Sequence, residues 1–144
     1  MTRVLVVDDD ETIRDTLYEL LSENYICQTA ESAEKAIARL QADTYDVVLT
    51  DISMPGLSGL ELLGQVRQRF PHTPVIVISG ISDKEHAQGL IRLGAFDYLL
   101  KPFSLDEVEK SVKRAIDYRR QLIEPPADEG PSSDGDTSDW KIVT

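Results

Sequence analysis

Two hydrophobic periods take turns along the chain, and that alternation limits the available folds more than any other feature. VLVV (4–7), ICQTA (26–30), VVLT (47–50), VIVIS (75–79) and YLL (98–100) are short, bounded by turn formers or charge, and mostly β-branched. Strands buried on both faces of a parallel sheet have this composition. Between them apolar residues return at helical spacing: Ile13, Leu17, Leu20 and Leu21; then Ala33, Ala36, Ile37 and Leu40; then Leu60, Leu63, Val66 and Phe70. Such stripes can each cover a sheet face. Five strands, each followed by a helix, give (βα)5. Right-handed crossovers between parallel strands make this a doubly wound α/β sheet, with ligands expected beyond the carboxyl ends of the strands.

Start and stop signals agree with that division. Ser58-Gly-Leu-Glu61 and Ser104-Leu-Asp-Glu107 both fit a capping box, in which serine and glutamate satisfy orphan amides reciprocally. Ser32 is a third cap, and Gly94 follows the 87–93 segment where a left-handed helix end belongs. The last helix runs from about Leu105 to Ile123 and stops before Pro125-Pro126. Residues 1–123 are therefore expected to be one domain. Residues 124–144 are expected to be an acidic, flexible linker or tail, because PPADEGPSSDGDTSD (125–139) lacks the apolar content to fold. Trp140, Ile142 and Val143 restore apolar character, as a docking segment would or, the favoured expectation, the start of a domain not present in this chain.

The formal net charge of −11 argues against direct nucleic-acid binding, which needs cations to neutralise phosphates. Residues 124–144 hold six acids and one base, so residues 1–123 carry −6. No apolar run approaches the ~20 residues needed to cross a bilayer, and Met1-Thr2-Arg3 leads directly into a strand, so a soluble, cytoplasmic protein is expected. Cys27 has no disulfide partner and is expected to be a buried strand thiol, and His72 and His86 are isolated and expected at the surface.

On a parallel sheet, Asp8-Asp9-Asp10, Asp51, Ser79 and Lys101 all project from one edge. Crowded carboxylates repel unless a cation shares their site. An all-oxygen pocket of this kind suits Mg²⁺, which takes one or two carboxylates with waters and phosphate oxygens. A metal and a lysine around a carboxylate can hold a phosphoryl group as its charge redistributes, and the carboxylate can itself be the nucleophile. Asp51 is the candidate, alone at its strand end before the Gly/Pro loop ISMPGLSG. Ser79 offers a hydroxyl to an incoming phosphoryl oxygen, and Gly80 leaves room for approach. Asp10, at a helix entry, is expected to cap rather than react.

With VLVVDDD, VVLTDISMPGLSGLELL, PVIVISG and GAFDYLLKPF in this order, residues 3–121 resemble the receiver domain of two-component response regulators. The resemblance implies a flavodoxin-like three-layer sandwich with strand order 2-1-3-4-5. It also implies Asp51 as phosphoacceptor, Asp9 as a direct Mg²⁺ ligand, Asp8 acting mainly through metal-bound water, and the Ser53 backbone carbonyl as a further ligand. Ser79 and Tyr98 match the switch pair, Lys101 the phosphoryl-contacting lysine, Lys101-Pro102 a cis bond, and Ser53 and Ile81 positions that tune phosphoryl loss. The implied partner is a sensor histidine kinase, a phosphotransfer protein or a small phosphodonor. Ser79 and Lys101 would be pulled inward, Tyr98 would leave a solvent-facing position, and the face of fourth helix, fifth strand and fifth helix would change partner, with a homodimer as one outcome. The rival is a haloacid-dehalogenase-type phosphatase with Asp8 as nucleophile, because Asp8-x-Asp10-x-Thr12 also follows an apolar strand; it leaves Asp51 unexplained and lacks a later acidic pair on a strand. A phosphorylation-independent interaction module on the same fold is a third reading.

Overall fold

A computed structural model describes residues 2–54, 58–81 and 84–123 of the chain. The expected acidic linker, the apolar residues from Trp140 on and the middle of the loop after Asp51 lie outside them. The elements alternate without exception: β1 (Arg3–Val7), α1 (Glu11–Leu21), β2 (Ile26–Ala30), α2 (Ala33–Ala42), β3 (Val47–Asp51), α3 (Gly59–Arg69), β4 (Val75–Ser79), α4 (Lys84–Arg92), β5 (Asp97–Leu100) and α5 (Leu105–Ile123). All strand pairs are parallel, in the order β2-β1-β3-β4-β5.

Alternation along each strand sorts the core into two layers. Leu5, Val7, Val48, Val75 and Val77 pack with Ala33, Ala36 and Leu40 of α2, Leu62, Leu63 and Val66 of α3, and Leu90 of α4. Val4, Val6, Val47, Leu49, Ile76 and Ile78 pack with Leu17 and Leu21 of α1 and with Val108, Val112, Ala115 and Ile116 of α5. The sheet is thus buried on both faces, as its β-branched runs require.

The caps form as the sequence suggests. Asp10 caps α1, accepting from the amides of Thr12 and Ile13; Ser32 caps α2; and Ser58 with Glu61 completes a capping box on α3. Ser104 and Glu107 exchange the same reciprocal pair of bonds at 3.1 Å each. Gly94 has φ of 110°, and a Cβ there would come within 2.7 Å of Arg67 Nε. Cys27 is buried and unpaired.

Two expectations change. Leu60 is 44% exposed, whereas Leu62 is fully buried, so the buried stripe of α3 is Leu62, Leu63 and Val66. The helix begins at Gly59, and its rotation is set by that start. His86 is half-buried, with its Nε2 buried and without a hydrogen-bond partner, because α4 begins already at Lys84 and carries the ring against Tyr98, edge-to-face at 6.1 Å. At Gly80 a Cβ would meet nothing within 4 Å, so the protein leaves open space there.

Candidate functional site

Parallel strands carry their carboxyl ends to a common edge, and main-chain bonds just past the strands hold the next residues in register. The Asp8 amide donates to the Ala30 carbonyl at 3.1 Å, the Ile52 amide to Ile78 at 2.9 Å, and the Lys101 amide to Ser79 at 2.8 Å. Asp51 ends β3 and Ser79 ends β4. Asp8 follows β1, and Lys101 follows β5.

This register brings Asp8, Asp9 and Asp51 together, with one carboxylate oxygen from each lying within 4.8 Å of the others. Asp8 is fully buried, Asp51 and Ser79 are nearly so, and Asp9 is exposed. Lys101 Nζ reaches in from the fifth strand, 3.4 Å from Asp51 Oδ2 and 3.8 Å from Asp8 Oδ2. The Ser53 amide donates to Asp51 Oδ1 at 3.2 Å. Asp10, in contrast, is taken up in capping α1.

Asp8 is the electrostatically costly member. Its Oδ1 accepts from the Asp10 amide at 2.9 Å, while its Oδ2 has no hydrogen-bond partner. Burial pushes its carboxyl up to about 6, with the charges of Asp51 and Asp9 adding to the effect and the Asp10 amide and Lys101 opposing it. A buried carboxylate oxygen without a donor, facing two other carboxylates, fits a hard divalent cation, which would supply the missing partner.

Ser79, Ile81 and Tyr98 form a connected chain. The Ile81 amide donates to Ser79 Oγ at 3.1 Å, and the Tyr98 hydroxyl donates to the Ile81 carbonyl. Tyr98 is thus half-buried and bonded, not free in solvent. Lys101–Pro102 is a cis peptide bond.

Two residues of the site escape sequence inspection. A Cβ at Gly59 would sit 2.0 Å from the Asp51 carbonyl oxygen and 2.7 Å from Ile52 Cα, so the start of α3 rests directly on the backbone of Asp51. The signal was there, a glycine directly after a capping serine, but capping alone explained it. Arg14 Nη1 donates to the Asp8 carbonyl at 2.8 Å. A lone arginine on an amphipathic helix gives no sign of such a bond.

The model of the response regulator receiver domain matches residues 4–113. The chain belongs to that family. Its sequence is 43% identical over 134 residues to the DNA-binding transcriptional regulator NtrC of Salmonella typhimurium, covering 91% of this chain and 29% of that protein. It is 34% identical over 122 residues to the C4-dicarboxylate transport transcriptional regulatory protein DctD of Rhizobium meliloti, covering 84% of this chain and 26% of the relative. A receiver domain protein from Clostridium thermocellum superposes with a TM-score of 0.78 at 32% identity, covering 85% of this chain and all of the other. The chain thus spans under a third of the length of these curated relatives. Membership of this family, with the strand order β2-β1-β3-β4-β5, sets the phosphatase resemblance aside. Among the described residues, no helix is long and apolar enough to cross a membrane.

Proposed function

We propose that this receiver domain is a phosphorylation-dependent switch in which Asp51 accepts a phosphoryl group from a sensor histidine kinase, a phosphotransfer protein or a small phosphodonor. The observation that carries this reading is the convergence on Asp51 of the Lys101 amine at 3.4 Å and of two further carboxylates at one sheet edge. A carboxylate oxygen of Asp51 attacks phosphorus; the new O–P bond forms as the bond from phosphorus to the donor breaks, and that electron pair leaves with the donor. Lys101 stabilises charge on the transferring oxygens, and Ser79 turns its hydroxyl proton toward one of them. Asp8, Asp9, Asp51 and the Ser53 carbonyl would hold Mg²⁺, which when bound offsets the negative charge gathered at the site.

Ile81 couples the site to the surface. A Ser79 hydroxyl that turns to the phosphoryl group gives up the Ile81 amide, whose peptide neighbour on the carbonyl side holds Tyr98. Tyr98 then repacks toward Ser79 and changes the α4-β5-α5 face, where Ile91, Leu100 and Leu105 are exposed. That face exchanges partners, with a homodimer as one form. Residues 1–123 act as the receiver unit and residues 124–144 as an acidic lead to an output domain of a cytoplasmic regulator. This chain itself would not bind nucleic acid.

Intact-mass spectrometry after incubation with acetyl phosphate and Mg²⁺ tests the chemistry. One phosphoryl adduct is expected, dependent on Mg²⁺ and absent from Asp51→Asn. An adduct that survives Asp51→Asn but disappears in Asp8→Asn would refute the assignment. Ser79→Ala should take up the phosphoryl group but fail to change the α4-β5-α5 surface.

A further inference from the structure

A second polar site lies beside the acidic one. Between α1, the carboxyl end of β2 and α2 is a cavity of about 450 Å³, lined by Arg14, Thr29, Glu31, Lys35 and Arg39 with two alanines. We propose that this cavity binds a small, multiply charged anion of the phosphate or phosphate-ester class through Arg14, Lys35 and Arg39. The proposal stands apart from the chemistry assigned to Asp51.

Its charge runs against that of the molecule. Three cations face one carboxylate here, in a chain whose formal charge is −11. One of its two arginines is anchored from behind. Arg14 Nη1 is fixed on the Asp8 carbonyl at 2.8 Å. An anchored guanidinium fork loses little freedom on binding and matches the geometry of phosphate oxygens.

The cavity already attracts a tethered anion. Glu31 pairs with Lys35, and its carboxyl is held below the usual range by the Lys35 hydrogen bond and charge and further by Arg14. The volume lies within the range of small-molecule sites, and a concave basic site suits a compact anion where a flat one would suit an acidic protein.

Amide-resolved NMR of the 144-residue chain in Mg²⁺-free buffer, at constant ionic strength, tests this with inorganic phosphate, glycerol phosphate and chloride. Saturable shifts are expected with either phosphate compound, but not chloride, at residues 14, 29–31 and 35–39. Tighter binding of glycerol phosphate would identify the ester as the natural source, and tighter binding of inorganic phosphate the free ion. Lys35→Gln/Arg39→Gln, both exposed positions, should weaken binding by about tenfold or more, the loss expected for charge-assisted hydrogen bonds. Shifts that do not saturate, that chloride reproduces, that centre on Ser79 and Lys101, or that the double substitution leaves intact would overturn the proposal. A response to polyglutamate alone would also overturn it and point to an acidic protein partner.

Discussion

Replacing Asp8 by asparagine should stabilise the metal-free domain and remove its stabilisation by Mg²⁺. The side chain is fully buried, and Oδ2 has no hydrogen-bond partner. Burial above all, then the neighbouring carboxylates, pushes its carboxyl from 3.8 up to about 6. Between these values the folded state holds a proton that the unfolded chain has released, so stability falls as pH rises through the window and levels off above it. The shift corresponds to roughly 3 kcal/mol of penalty above pH 7 and about half that near pH 5. Asparagine keeps an acceptor for the Asp10 amide but forfeits the attraction of Lys101, so the net gain should be about 1–3 kcal/mol, each kcal/mol moving Tm by roughly 4 °C in a domain of this size. Urea unfolding in EDTA at about pH 7.5 and about pH 5 measures the gain and its expected shrinkage by about half at the lower pH. Added Mg²⁺ should then stabilise the native sequence but not the variant. Equal stability of the two proteins in EDTA, or a gain undiminished at the lower pH, would refute the placing of the charge penalty on Asp8.

Gly59→Ala forces a methyl group against the Asp51 carbonyl oxygen, 2.0 Å from the ideal Cβ. Both the oxygen and the nearby Ile52 Cα are backbone, so α3 must move, at a cost of about 1–3 kcal/mol in thermal unfolding and with slower acetyl phosphate labelling. Unchanged Tm and labelling would contradict the close approach. Asp46 clamps the opposite edge of the sheet, accepting from the Arg3 amide at 2.7 Å and from Arg119 Nη1 at 2.9 Å. Asp46→Ala strands both donors and should cost about 1–3 kcal/mol by urea titration. The Cys27 thiol, pushed up to about 12 by burial, should resist a disulfide reagent until the domain unfolds, and rapid labelling of the native protein would show that it is accessible.

Much of this fold was legible because its signals are periodic or local. The five apolar runs fixed the strands to within a residue or so, and the serine caps fixed helix starts, since both depend on neighbours in sequence. The polar edge was legible for a related reason: once strands are parallel, the residue after each apolar run must lie on a common edge. The misses concern rotation and contact. Helical spacing around residue 60 accommodates Leu60 or Leu62, and only the start at Gly59 decides between them. His86 looked isolated because its neighbour, Tyr98, belongs to a different element, strand β5. Arg14 and Gly59 act on backbone atoms of Asp8 and Asp51, and backbone atoms leave no trace in a residue pattern.

The parallel ladder also governs when the site can exist. Asp51 and Lys101 are separated by 50 residues of chain, and Asp8, Ser79 and Lys101 each reach the edge from a different strand. No single βα unit contains the cluster, and no local stretch of chain can nucleate it. Its formation waits for the longest loops in the fold to close, the slow step in parallel-sheet topologies. A partly folded chain therefore carries the acids without the lysine that faces them, and any chemistry at this edge reports on the integrity of the whole sheet.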